Sequence, residues 1–209
     1  MNGVGAEAGM GVRSGSGRDA ALMQTGEAIT AAPATRVGLR HWILFWSIAL
    51  GGLAFDLTTK TMIFARVGEP PAPVVTLVPN VLELQTSYNK GALWGLGRNF
   101  QHSSLFFGAL SIVAAVAICY WLFGRGAASD WRLSVALALI MAGALGNCYD
   151  RLVLGHVRDF MHFHVDPIGF DCAIFNFADN MLIAGAVVLM LLALRPEPTA
   201  EPAPPIAVL

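Results

Sequence analysis

The sequence predicts an all-α polytopic membrane protein: four transmembrane helices, with a small β-rich cradle lying on one membrane surface. Three observations carry that expectation. Only 13% of the 209 residues are charged while 56% are hydrophobic, roughly half the charged share of an ordinary soluble domain. Four hydrophobic runs each approach the roughly 20 residues that cross about 30 Å of hydrocarbon at about 1.5 Å per residue. None of the four shows the polar stripe that a helix keeps toward water in a soluble protein.

The chain divides as follows. Residues 1–38 are rich in Gly, Ala and Ser, lack the apolar core of a secretory signal, and are expected to be a disordered tail. The membrane domain spans 39–195. Its first span, about 41–64, opens with "WILFWSIALGGLAF" and ends in "DLTTK". A connection of about 66–103 follows. Its "PAPVVTLVPNVLELQTSYN" reads as short extended pieces with proline at the edges, a small sheet against the membrane. "NKGALWGLG" comes next, where Gly91, Gly95 and Gly97 allow close backbone approach and Trp94 suits the interface. The second span, about 104–124, holds the uncharged "LFFGALSIVAAVAICYWLF". The third, about 131–150, ends in "GALGNCYD", and a connection of 151–174 leads to the fourth, about 175–195, whose "FNFADNMLIAGAVVLMLLAL" carries one aspartate. Residues 196–209 form a proline-rich tail that cannot continue a helix.

Charge and cysteine content exclude several classes. A net charge of -1 and the lack of a basic stripe argue against nucleic acid as a partner. Cys119, Cys148 and Cys172 are odd in number and unpaired in spacing, so neither a disulfide framework nor a zinc site is expected. His162 and His164 of "HFH" could chelate from a strand, yet no cysteine cluster or HExxH accompanies them, and no metal is assigned. Four spans leave both termini on one side, and Arg13 and Arg18 tip an otherwise even count of positive charge toward termini inside.

The polar residues gather at the opposite surface. Asp56 lies late in the first span, Asp150 closes the third, and Asp179 lies early in the fourth, so all three reach the same side as the two long connections. A carboxylate beside hydrocarbon costs on the order of 2.5–3.5 kcal/mol, so such acids usually face a bundle interior. Asn147, Asp150 and Arg151 are spaced to share one helical face. Asp150 beside Arg151, and Asp56 with Lys60 at i, i+4, read as structural pairs. Asp179 has no cation within six residues on either side. Asp159 sits on an extended segment where its neighbour Arg158 points the other way, leaving it free to titrate. Two close carboxylates cannot both ionise, so one holds a proton while the other draws one from water. That arrangement serves aspartic hydrolysis; a small proton-coupled transporter or a membrane assembly protein uses the same materials.

Five stretches in order resemble the lipoprotein signal peptidase (signal peptidase II) family: "DLTTK", "NKGALWG", "GALGNCYDR", "HVRDF" and "FNFADN". The resemblance covers about Arg40 to Arg195. It implies an aspartic endopeptidase of the bacterial inner membrane that needs no cofactor or metal. Such an enzyme removes signal peptides from diacylglyceryl-modified prolipoproteins, cutting just N-terminal to the lipidated cysteine. It implies cytoplasmic termini, an active site on the periplasmic or outer side, and an extracytoplasmic cradle. The catalytic pair falls on Asp159 and Asp179. Asn89, Gly91, Asn147, Arg151 and Asn176 fall on lining or substrate-holding positions, and Asp56, Lys60 and Asp150 on structural ones. The expected partners are lipid-modified prolipoproteins and membrane lipids, with the protein a monomer. The chain departs from the family pattern at Leu93, Arg158 and Asn180; Arg158 would lower the pKa of Asp159 if their heads met.

Overall fold

A computed structural model describes residues 37–91 and 102–195. The N-terminal tail to residue 36, the C-terminal tail from residue 196, and the loop segment 92–101 with Leu93 and Trp94 lie outside the described residues. Four helices and a small sheet make up the rest. Helix α1 is Leu39–Val67, α2 is Ser103–Cys119 and runs on through a π-helical turn to Gly124, α3 is Trp131–Val153, and α4 is Phe177–Ala193.

The helices are apolar outside, meet through apolar side chains over part of their length, and bury polar groups between them toward one end. On α1 the buried positions Phe45, Ala49, Asp56, Lys60 and Phe64 form one stripe, while Ile43, Leu50 and Phe55 stand outward and exposed. An outer surface of that kind suits hydrocarbon, not water. Helix α3 is the central element: Ala136, Ala138, Ala142, Gly143, Ala144 and Gly146 are all buried along it. Small residues let apolar helices approach closely, and their backbones then come into contact. A Cβ on Gly143 would strike the carbonyl oxygen of Ala178, and one on Gly146 would strike the Asp56 carboxylate. Glycine is required at both places because α1 and α4 lie directly against α3.

Length separates the four helices. Leu39–Val67, Ser103–Gly124 and Trp131–Val153 are long and apolar enough to cross a membrane, by length and composition. Helix α4 is apolar but has 17 residues, because Asn176 caps it and starts it two residues later than the hydropathy suggests. The third span also runs on to Val153, three residues past the expected end.

The two connections between helices join in one antiparallel sheet of order β1-β2-β3-β4. Its strands are β1 (Val75–Val78), β2 (Leu82–Asn89), β3 (Val157–Val165) and β4 (Phe170–Asp171). Pro79 and Asn80 turn the chain between β1 and β2. Asn80 takes φ 59°, and the Val81 N–H donates to the Val78 carbonyl at 3.1 Å; proline then asparagine is the order such a turn favours. The β2–β3 register sets Glu83 opposite His162, Ser87 opposite Asp159 and Asn89 opposite Val157. Asp159 and Asn89 thereby come to one end of the sheet, above the start of α4.

Candidate active site

The floor of the site is a buried ionic cluster. Asp56 and Lys60 are one turn apart on α1, so Lys60 Nζ lies 2.8 Å from Asp56 Oδ2, and it reaches Asp150 Oδ2 at 3.4 Å. It also donates to Asn147 Oδ1 at 3.0 Å. All three ionic side chains are fully buried. The second Asp56 oxygen accepts the Ala178 N–H at 2.9 Å, placing a carboxylate at the N-terminus of α4, where helix N–H groups lack partners.

Asp150 pairs differently from the sequence expectation. Its ion-pair partners among the described residues are Lys60 and Arg158, the latter at 2.8 Å, and it also accepts the Arg158 backbone N–H at 3.1 Å. The adjacent Arg151 is not one of them, because successive helical residues point about 100° apart. Arg158 is thereby drawn to Asp150 and turned from its own neighbour Asp159.

Above this floor two aspartates share an asparagine. Asn176 is the N-cap of α4 and forms a reciprocal capping box with Asp179. Its Oδ1 accepts the Asp179 N–H at 3.1 Å, while Asp179 Oδ2 accepts the Asn176 N–H at 3.1 Å. The Asn176 amide donates to Asp159 Oδ1 at 2.6 Å and to Asn147 Oδ1 at 3.2 Å. Asn147 in turn donates to Asp179 Oδ1 at 2.8 Å. From the sheet, Asn89 donates to Asp159 Oδ2 at 3.1 Å, and its own oxygen is fixed by the Gly91 N–H at 2.9 Å. Asp159 is 3% exposed. Burial first, and the Asp179 charge second, push its pKa up to about 7; hydrogen bonds from Asn176 and Asn89 and the Lys60 charge oppose that rise. A group poised there exchanges a proton readily near neutrality.

Arg151 forms a side wall. Its guanidinium donates to the Gly91 carbonyl at 3.0 Å and lies 5.7 Å from the Phe107 ring centroid. Its buried Nε has no hydrogen-bond partner among the described residues. Beside it an apolar groove of about 340 Å³ runs between α2, α3 and α4, lined by Ser111, Ala114, Ile140, Ala144, Leu182 and Ile183. The groove ends on Asn147, Arg151 and Asp179. An extended apolar segment lying in it would meet the carboxylates at its polar end.

The ten site residues expected from the sequence lie in this assembly: Asp159, Asp179, Asn89, Gly91, Asn147, Arg151 and Asn176 around the pair, and Asp56, Lys60 and Asp150 beneath. Sequence reasoning missed two features. The capping box was readable as Asn176-x-x-Asp179 ahead of an apolar run. The Asp150–Arg158 pair had no local signal, since it joins a helix end to a strand.

Residues 48–195 match the family model described as Signal peptidase (SPase) II. A lipoprotein signal peptidase of Rhodopirellula baltica is 33% identical over 183 residues, covering 80% of this chain and 80% of that protein. One from Staphylococcus aureus strain JH9 is 31% identical over 150 residues, 71% of this chain and 86% of that protein. A solved bacterial membrane enzyme structure superposes with a TM-score of 0.64 at 31% identity, covering 76% of this chain and 90% of that one.

Proposed function

We propose a mechanism from one premise: the chain belongs to the signal peptidase II family. It is a multi-pass bacterial membrane protease that removes signal peptides from prolipoproteins. In our reading the catalysis is of the aspartic type and Asp159 and Asp179 are the pair that performs it. The observation that carries this is the hydrogen-bonded arc Asn89–Asp159–Asn176–Asp179–Asn147 at the end of the apolar groove.

The pair holds one proton near neutrality. We assign it to Asp159, whose pKa is pushed up to about 7, and the negative charge to Asp179, which sits on helix N–H groups that favour an anion. Asp179 accepts a proton from a water molecule as that water attacks the scissile carbonyl. Asp159 donates to the carbonyl oxygen and stabilises the charge that develops there. Collapse of the tetrahedral intermediate returns a proton to the leaving amine. Asn176 and Asn147 keep both carboxylates aimed at one spot, which is the positioning contribution to the rate. Arg151 Nε donates to a backbone carbonyl of the bound signal peptide.

The groove between α2, α3 and α4 takes the apolar segment of the signal peptide. A diacylglyceryl-modified cysteine holds the cleavage point at the bilayer surface, so the cut falls just N-terminal to it. On this reading α4 also crosses the bilayer, the termini are cytoplasmic, the sheet and the pair face the periplasmic or outer side, and the protein acts as a monomer among membrane lipids. The test is cleavage of a diacylglyceryl-modified prolipoprotein by detergent-purified protein, followed by gel shift. Asp159→Asn and Asp179→Asn are each expected to lower turnover at least about 10³-fold while the variants stay folded. Near-normal turnover by either variant removes that residue from the pair.

A further inference from the structure

His162 and His164 play no part in the chemistry above, yet they are built into a cluster. Both lie on β3 two residues apart, so their rings project from one face of the strand. They stack with centroids 5.1 Å apart and 20° between planes. Glu83 stands directly across on β2, opposite His162. One oxygen of Glu83, Oε1, accepts the Thr76 hydroxyl at 3.3 Å. The other, Oε2, faces His162 Nδ1 at 3.7 Å and His164 Nε2 at 3.7 Å. Both distances exceed a hydrogen bond, and both nitrogens are buried without a hydrogen-bond partner.

The remaining ring nitrogens are held. His162 Nε2 lies 2.7 Å from Asp171 Oδ1, and His164 Nδ1 lies 2.7 Å from Asp166 Oδ1. Each imidazole thus gives one N–H to a carboxylate and turns its other nitrogen inward. Carboxylate–histidine pairing of that kind fixes the tautomer and orientation that a metal-binding imidazole needs.

We propose that Glu83, His162 and His164 form a binding site for one divalent first-row transition ion, zinc foremost, joining β2 to β3 at the outer part of the sheet. The three inward atoms lie within 4.8 Å of one another. Around a tetrahedral zinc, with bonds of about 2.0–2.2 Å, donor atoms stand roughly 3.3–3.5 Å apart, so each histidine nitrogen moves a few tenths of an ångström toward Glu83 Oε2, and the two nitrogens, within 4.8 Å of each other, also draw together. Two imidazoles and a carboxylate leave a fourth position for water. Nitrogen donors select zinc, copper or nickel over magnesium and calcium, which prefer oxygen cages. Three carboxylates around two neutral rings give the site a negative field that draws a cation. The sequence could show only the alternate histidines; the third donor is 79 residues earlier and arrives through strand pairing. Metal binding displaces protons from its donors, so it weakens in acid. The site is three residues along β3 from Asp159, about 10 Å at roughly 3.3 Å per residue, and it is separate from the catalytic pair.

The experiment uses full-length, untagged protein in detergent, stripped with EDTA and titrated with zinc chloride near neutral pH, with bound metal counted after dialysis. About one equivalent of zinc is expected, with a rise in Tm, and a large excess of magnesium should not displace it. Glu83→Gln and the double variant His162→Ala/His164→Ala should weaken zinc at least about 30-fold, and Asp171→Asn, which leaves all three donors intact, about tenfold. Thermal unfolding of each metal-free variant near the wild-type Tm establishes that the loss is local. Stoichiometry far below one, or zinc retained in full by the double variant, overturns the proposal.

Discussion

Lys60 is fully buried, and its ammonium pairs with both Asp56 and Asp150. Lys60→Met leaves the buried Asp56 carboxylate without its ion-pair partner, while Asp150 keeps Arg158, a loss of about 3–5 kcal/mol. It should show as a large fall in Tm, with activity lost alongside; a Lys60→Met protein as stable as the wild type would show that Asp56 does not depend on this ammonium. Asp159 gives the opposite lesson. An ordinary aspartate titrates near 3.8, and this one near 7. The folded state therefore holds a proton that the unfolded chain has released, and stability falls as pH rises between those values and is flat above them. Wild-type Tm should drop more than that of Asp159→Asn between about pH 5 and about pH 7. Turnover should fall about tenfold per pH unit above about pH 7 as the shared proton is lost. Asp179→Asn, by removing the neighbouring charge, should lower the Asp159 pKa, read from its carboxyl stretch in infrared difference spectra. At this scale the sequence told which residues come together better than whom each one touches. "DLTTK" announces its i, i+4 pair, but Asp150 beside Arg151 suggested a partner that helix geometry forbids, and Arg158 supplied the actual one.

Helices were legible by hydropathy and their ends by caps. Asn176 starts α4 because its side chain takes the Asp179 N–H, and a hydrophobic run alone cannot mark that residue. The β1–β2 hairpin was readable from Pro79 and Asn80 between apolar stretches. Pairing of β3 with β2 was not, because the strands are separated by two membrane helices and no local turn joins them. Glycine placement on the helices makes a direct test of packing. Gly146→Ala pushes a methyl into the Asp56 carboxylate, whereas a methyl on Gly51 meets nothing within 4 Å. Gly146→Ala should cost about 1–3 kcal/mol and lower turnover by disturbing the cap of α4. Gly51→Ala should be neutral or slightly stabilising through helix propensity. Equal Tm values for the two variants would show that α1 can withdraw from α3 at little cost.

Among the described residues of the whole molecule the usual distribution is partly inverted, with many large hydrophobic side chains facing outward while Asp56, Lys60, Asp150, Arg151 and Asp159 are buried toward one end. Composition made that inversion legible, since a chain with so few charges has little with which to face water. The convergence of Asp56, Asp150 and Asp179 followed from counting strokes through the bilayer. The depth of that convergence, in which the first helix caps the last, lay beyond the reach of pattern, for Asp56 and Ala178 are 122 residues apart. That cap ties the order of assembly to the site. Asp159 and Asp179, the proposed pair, come late in the chain, yet the start of the helix that carries Asp179 is held by a carboxylate from the first. On the proposed assignment, the site is complete only once the final span has closed onto the first.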